Sequence, residues 1–329
     1  MKILLTGATG FLGYRTLEKL VLLDKVSTII ATGRSLLPYR KIDHPKVVYE
    51  LGSLEDQALV ERLVNGIDII INTVSLSSPW GLPSEFKMAN IDTQANLINA
   101  ALRFGVKKFI YISSPSVYFN GRNRISIKES DPLPSKFINE YAKTKRQAEV
   151  LLENSKLAYV ILRPRALIGR GDSVIMPRLI RAFDEGKLRI IGKGTNVVDL
   201  TSVDNVVEAI RLSINAEGPA INQTYNISND EPTVLWESIQ HVLNALDKPL
   251  GRKKIPYFVA YSYAQLLEIK ERMLKNNEPA LTVYGVGTLA LSFTLDVTKA
   301  KTLLGYRPVI ATQQSIDEFV KWYKSNENL

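Results

Sequence analysis

A short apolar run at residues 3–6 is followed at once by Gly7, Gly10 and Gly13, and then by a helical pattern at residues 14–23. Three glycines at that spacing between a strand and a helix make a tight turn whose backbone is bare of side chains. Such a turn brings an anionic group close to the free N–H groups at a helix start, where the helix dipole adds partial positive charge. An open parallel sheet with crossover helices is the architecture in which a chain begins this way.

The rest of the first half agrees. Apolar runs recur at residues 28–32, 47–51, 67–73, 109–113 and 159–163, separated by amphipathic stretches at 57–64, 90–104 and 141–154. Runs that are continuously apolar rather than alternating belong in parallel sheets covered on both faces, so the expected fold is α/β, a doubly wound Rossmann-type sheet. After residue 169 the regularity breaks. A helix at 174–185, a short strand at 188–191 and an aromatic-rich helix at 257–274 are expected to form a smaller mixed C-terminal lobe. The chain divides into a dinucleotide-binding domain over 1–168, with returning segments near 195–227, and an interleaved substrate lobe over 169–329.

Composition narrows the chemistry. The 329 residues include no cysteine and two histidines, His44 and His241, which excludes thiolate nucleophiles, cysteine-ligated metals and multi-histidine centres; no metal site is expected. Lysine and arginine number 42 against 33 acids, a net charge of +9 spread along the chain, which favours anionic ligands without a nucleic-acid module. The longest uncharged stretches, 69–84 and 279–295, fall short of the ~20 apolar residues that a membrane span needs, and no signal peptide is apparent. A cytoplasmic setting without an integral membrane segment is expected.

Three further segments carry candidate chemistry. Ser113-Ser114-Pro115-Ser116-Val117-Tyr118 follows the fifth apolar run, and Tyr141 and Lys145 stand four apart on a helical stretch, hence on one face. An ammonium beside a phenol stabilises phenolate, drawing the tyrosine toward a pKa at which it works as acid and base. Leu162-Arg163-Pro164-Arg165-Ala166-Leu167-Ile168-Gly169-Arg170-Gly171-Asp172 forms a glycine-containing loop after the sixth run.

This ordered set resembles the extended short-chain dehydrogenase/reductases: Thr6-Gly7-Ala8-Thr9-Gly10-Phe11-Leu12-Gly13, then S-S-x-x-V-Y, then Y-x-x-x-K, with Leu304-Gly305-Tyr306-Arg307-Pro308 near the end. The segment 163–206 looks most like the 3β-hydroxysteroid dehydrogenase and 2-alkyl-3-oxoalkanoate reductase branch. The resemblance implies catalysis by Ser114, Tyr141 and Lys145, with Tyr141 exchanging the proton, Ser114 orienting the substrate oxygen and Lys145 holding the nicotinamide ribose. It implies cofactor contacts from Gly7, Thr9, Gly10, Phe11, Leu12 and Gly13. Further contacts come from Ser53 and Leu54, from Thr73, Val74 and Ser75, from Asn90, Ile112 and Ser113, and from Pro164, Arg165, Ala166 and Leu167, besides Tyr141 and Lys145. Asn90 opens its helix and serves either as a cleft buttress or as a cap.

Where an NAD site usually carries an acid after the second strand, this chain has Gly33-Arg34, which favours the 2′-phosphate of NADP while leaving NAD open. An apolar alcohol or ketone, such as a 3β-hydroxysteroid or a 3-oxoalkanoate, is the expected small-molecule substrate, with Ser77, Trp80, Ser114 and Arg178 as substrate contacts. Two alternatives stay open: a nucleotide-sugar epimerase or dehydratase using the arginines at 165, 170, 178, 181 and 189 as an anion clamp, and a non-catalytic NADP-binding regulator. Relatives imply a homodimer through the helices at 90–104 and 141–154.

Overall fold

A computed structural model describes residues 1–251, 253–274 and 277–326; residues 252, 275, 276 and 327–329 of the expected lobe lie outside the described residues. The apolar runs become the strands β1 (Lys2–Thr6), β2 (Thr28–Thr32), β3 (Val47–Tyr49), β4 (Ile69–Asn72), β5 (Lys108–Ile112) and β6 (Tyr159–Pro164), joined at the edge by β7 (Gln223–Ile227). All seven run parallel in the order β3-β2-β1-β4-β5-β6-β7. β7 carries only Tyr225 and Ile227 as large apolar residues, so it lacks the run that marks the others. β3 ends at Tyr49, short of the expected residue 51, and pairs with β2 through Val47, Val48 and Tyr49.

Successive residues of each strand feed opposite faces. Ile3, Leu5, Ile29, Ile71 and Ile110 pack under α1 (Phe11–Leu20) and α6 (Val203–Asn215), with Leu17, Val206 and Ile210 opposite them. Leu4, Ile70, Phe109 and Ile161 pack under α2 (Gln57–Val64), α3 (Thr93–Arg103) and α4 (Glu140–Glu153), with Leu63, Leu97 and Leu152 opposite them. Each such fully buried side chain contributes about 1.5–3 kcal/mol of transfer free energy, which is why both strand faces must be apolar.

The helix expected to open at residue 90 begins earlier. Pro83 starts a four-residue turn, Pro83–Phe86, whose Glu85 carboxylate accepts the Leu82 N–H at 3.1 Å, and a π-helical turn, Lys87–Asp92, joins it to α3. Asn90 therefore lies within a helical column, buried, and caps nothing.

The second half adds α5 (Ile175–Asp184), α7 (Leu235–Ala245), α8 (Tyr257–Leu274), α9 (Val283–Ala290) and α10 (Thr312–Ser325). The expected strand at 188–191 shrinks to Ile190–Ile191, because the Leu188 N–H is taken by the Ala182 carbonyl at the end of α5. A four-stranded mixed sheet is assembled from distant pieces in the order Thr233–Val234, Val197–Val198, Phe293–Leu295 and Arg124–Ile127. Met176, Ile180, Trp236, Ile239, Leu243 and Phe319 form the core of this half.

Strand order reverses between β1 and β4, whose connections leave to opposite sides. The crevice outside their carboxyl ends is where open α/β sheets take ligands.

Candidate active site

The glycine loop lies in that crevice. Gly7 has φ +72°, and a Cβ there would lie 2.5 Å from Thr73 Oγ1 at the end of β4; one on Gly13 would lie 2.0 Å from the Gly7 carbonyl oxygen. Glycine is therefore required at Gly13 by close approach of backbone to backbone, and at Gly7 by its positive φ and the Thr73 hydroxyl. Gly10 is the N-cap of α1, with no side-chain cap and no acid in the first turn. The first-turn N–H groups are thus left for a ligand, and the dipole selects an anionic one.

Beneath the loop a buried polar lattice fixes the switch point. Thr6 Oγ1 donates to Asn72 Oδ1 at 2.6 Å, Asn72 Oδ1 also accepts the Val74 N–H at 3.0 Å, and Asn72 Nδ2 donates to Gln94 Oε1 at 2.6 Å. Asn90 locks the next stretch. Its Oδ1 accepts from the Leu76 N–H at 2.8 Å and from Ser75 Oγ at 3.3 Å, while Nδ2 donates to Thr144 Oγ1 on α4 at 3.0 Å. The loop after β4 and the helix of Tyr141 are therefore held as one piece, the buttressing alternative rather than the cap.

Tyr141, Ser114 and Ser75 meet at the floor of the crevice. Burial pushes the Tyr141 phenol up to about 12, against the downward pull of the Ser114 and Ser75 hydroxyls beside it. Ser114 Oγ also accepts the Ser116 N–H at 3.2 Å, capping the turn Pro115–Tyr118. Lys145 is buried under the same helix; burial brings its ammonium down to about 7, opposed by the Glu149 carboxylate one turn on. Its Nζ donates to the Ile112 carbonyl at 2.7 Å and lies 4.8 Å from the centre of the Tyr111 ring. The lowering of the Tyr141 pKa expected from Lys145 is absent: the ammonium points at the Ile112 carbonyl, the groups that pull Tyr141 down are the Ser114 and Ser75 hydroxyls, and burial dominates.

The residue set fits a dinucleotide. An uncapped helix N-terminus, a glycine cradle, a buried phenol and a buried lysine one turn along its helix lie along one crevice, with Ser113, Pro164 and Ala166 at the ends of neighbouring strands. Ala166 takes φ +42°, an uncommon conformation for a residue with a Cβ, at the turn out of β6.

The segment 3–228 matches the model of the NAD dependent epimerase/dehydratase family. The chain belongs to that family. It is similar over its whole length to the uncharacterized protein YbjS of Escherichia coli, at 32% identity over 339 residues, covering 100% of this chain and 99% of the relative. It is 30% identical to a 2-alkyl-3-oxoalkanoate reductase of Shewanella oneidensis, covering 98% of this chain and 85% of that one. Among solved structures, the dTDP-glucose 4,6-dehydratase DesIV of Streptomyces venezuelae superposes with a TM-score of 0.78 at 21% identity, covering 99% and 98% of the two chains, a likeness of fold.

For an enzyme of the epimerase/dehydratase type, the remaining candidate residues fall unevenly. Leu54 is a core residue behind α2, and Ser53 Oγ accepts the Glu55 N–H at 3.3 Å. Arg34 is exposed after β2. Ser77 is exposed, and Trp80 leans away toward α8, with the Arg272 guanidinium 5.2 Å from its ring centre. Arg178 is paired with Glu278 and Arg170 with Glu18, so two of the five arginines of the anion clamp are drawn off by separate carboxylates.

Sequence reasoning missed several residues at this site. Arg40 is buried and donates to the Thr9 carbonyl at 3.0 Å, bracing the glycine loop from a segment with no motif. Glu149 and Arg163 form a two-bond buried pair at 2.7 and 2.6 Å, and Arg163 also donates to the Tyr118 hydroxyl. Burial alone would raise the Glu149 carboxyl, yet the Arg163 charge holds it below its ordinary range. Tyr284 faces Tyr141 from the lobe, its own phenol raised by burial. A lysine and a glutamate four apart on one helix, Lys145 and Glu149, was the available signal for the pair.

Proposed function

We propose that the protein is an NADP-dependent reductase of apolar ketones, with a 3-oxoalkanoate-like or 3-ketosteroid-like substrate. The observation that carries this reading is the meeting of Tyr141, Ser114 and Ser75 at the carboxyl edge of the sheet, faced by Tyr284, whose ring packs on Phe119, with Arg165 the charged side chain near Tyr284. Bound nicotinamide dinucleotide phosphate would supply hydride to the carbonyl carbon. Ser114 orients the carbonyl oxygen by donating to it, and Tyr141 gives that oxygen its proton. Lys145 holds the ribose hydroxyls, and the glycine loop with the first turn of α1 holds the pyrophosphate. Arg34, standing where an acid would otherwise select NAD, reads the 2′-phosphate. The name of the Shewanella relative supports a ketone bearing an alkyl chain.

The same proposal places the enzyme in the cytoplasm and pairs two copies through the outer faces of α3 and α4, where Leu102 and Leu151 are exposed. Sedimentation of the pure protein checks the pairing. The deciding experiment is NADPH oxidation with 3-oxoalkanoates, 3-ketosteroids and sugar nucleotides in parallel. Turnover of an apolar ketone alone is expected; turnover of sugar nucleotides alone would replace the reading with an epimerase or dehydratase, and NADPH binding without any turnover would favour a regulator.

A further inference from the structure

One helix is covered on a single side. Ala260 and Ala264 of α8 are buried against Val286 of α9, and their small side chains let the two helices approach closely. Around the other side Phe258, Val259, Tyr263, Leu266, Ile269 and Met273 stand in solvent, with exposures of 70% for Phe258, 65% for Leu266 and 79% for Met273. At about 100° per residue these positions fall on one broad stripe. No other helix among the described residues exposes more than two large apolar side chains.

The charges around the stripe have one sign. Lys270 is exposed within it. At its N-terminal end the strand Lys254–Ile255 pairs with Ile190–Ile191, and Lys254 Nζ donates to the Lys193 carbonyl at 2.8 Å, which groups exposed Lys193, Lys253 and Lys254. The acids of α8 face inward: Glu268 and Glu271 lie on the side of Ala260 and Ala264, and Glu268 Oε1 accepts the Val283 N–H at 2.8 Å. A second copy presenting the same face would meet like charge with like charge, whereas an anionic lipid surface complements it.

Beside the stripe, between α8 and residues 134–138, lies a cavity of ≈ 610 Å³ lined by Phe119, Phe137, Tyr261, Ile269, Arg272 and Val283. Phe119 packs edge-on to Tyr284 at 5.5 Å between ring centres, so the cavity wall continues to the ring that faces Tyr141.

We propose that α8 lies in the surface of an anionic phospholipid bilayer, its apolar stripe at the acyl boundary and Lys193, Lys253, Lys254 and Lys270 against the headgroups, and that a ketone dissolved in the bilayer enters through the adjoining cavity. The entry route rests on the apolar-ketone reading; the binding to lipid does not. No helix among the described residues is long and apolar enough to cross a membrane, so α8 lies along the surface.

Flotation of the full chain with vesicles tests the binding without any turnover assay. Vesicles of phosphatidylcholine with about one third phosphatidylglycerol are expected to carry the protein, and those of phosphatidylcholine alone to carry at least about tenfold less. Lys253→Gln and Lys270→Gln should each weaken binding about fivefold, and the triple change Phe258→Ser, Leu266→Ser, Met273→Ser should abolish it while the thermal melt stays unchanged. Independently of how the triple variant folds, Phe258→Trp should be quenched by brominated lipid. Wild-type protein that floats with neither vesicle, or equally with both, overturns the proposal. So does a sedimentation shift from dimer to monomer in the triple variant, which would assign the face to a second copy. Flotation with no ketone turnover would strike the substrate reading and leave the lipid surface standing.

Discussion

At the carboxyl edge of the sheet the surface offered to a ligand is backbone: glycine Cα atoms and helix-terminal N–H groups. Across the crevice the facing surface is made of side chains, the rings of Phe119, Phe293 and Tyr284 and the Arg165 guanidinium 4.9 Å from the Phe293 ring centre. A surface made of backbone fails when atoms are added to it. One made of side chains fails when atoms are removed, and it can be rebuilt for another substrate without disturbing the first. Tyr141, Ser114 and Ser75 stand between the two and belong to neither kind, being side chains whose positions are fixed by the sheet's own loops and helix.

The largest expected effect isolates that middle group. Tyr141→Phe should lower kcat by about 10²–10⁴ with NADPH affinity within about twofold of wild type; turnover that survives would remove the phenol from the chemistry. Next comes the backbone surface. Gly13→Val should reduce NADPH affinity by about a hundredfold or more in equilibrium titration, because a Cβ at that position would meet the Gly7 carbonyl at 2.0 Å. Intact binding in that variant would show that the glycine loop gives way and would break the contrast. A side-chain contact to the cofactor should be milder: Arg34→Ala is expected to weaken NADPH about tenfold and NADH hardly at all, equal losses denying it the 2′-phosphate.

The smallest effect concerns the lobe's own cost. Asp199 sits almost fully buried, and burial raises its carboxyl from 3.8 to about 6, despite the Leu295 N–H it accepts and the Arg165 charge nearby. Between those values the folded state binds more protons than the unfolded one, so stability falls as pH rises from about 4 to about 6. Asp199→Asn should remove that slope and raise stability at pH 7 by about 1–2 kcal/mol in denaturant melts, with no gain at pH 4. A variant less stable at pH 7 and unchanged at pH 4 would mean that the carboxylate is needed by Arg165.

Legibility in the sequence follows the same division. β1, β2, β4, β5 and β6 are visible as apolar runs because each is buried on both faces, a condition local residues must meet by themselves. β7 is recognisable only through its pairing with β6, and the two-residue strands Val197–Val198 and Thr233–Val234 exist because remote segments meet there. The glycine loop and the spacing of Tyr141 and Lys145 are sequence-local, and so were readable. Arg40 and Tyr284 reach the site through tertiary packing, and nothing near them in the chain announces it; Ser75 was read as a cofactor contact and its place beside the phenol was not.

The π-helical turn at Lys87–Asp92 holds one residue more per hydrogen-bonded ring than the α-helix it feeds. Loss of a single residue there would rewind the column to an ordinary α-helix, and because the wide ring is what absorbs the extra residue, the turns on either side would keep their faces. Asn90 would swing off both the loop after β4 and Thr144, while α3 and its apolar packing stayed whole. One codon thus separates a crevice whose two walls are tied together from one whose walls are no longer joined.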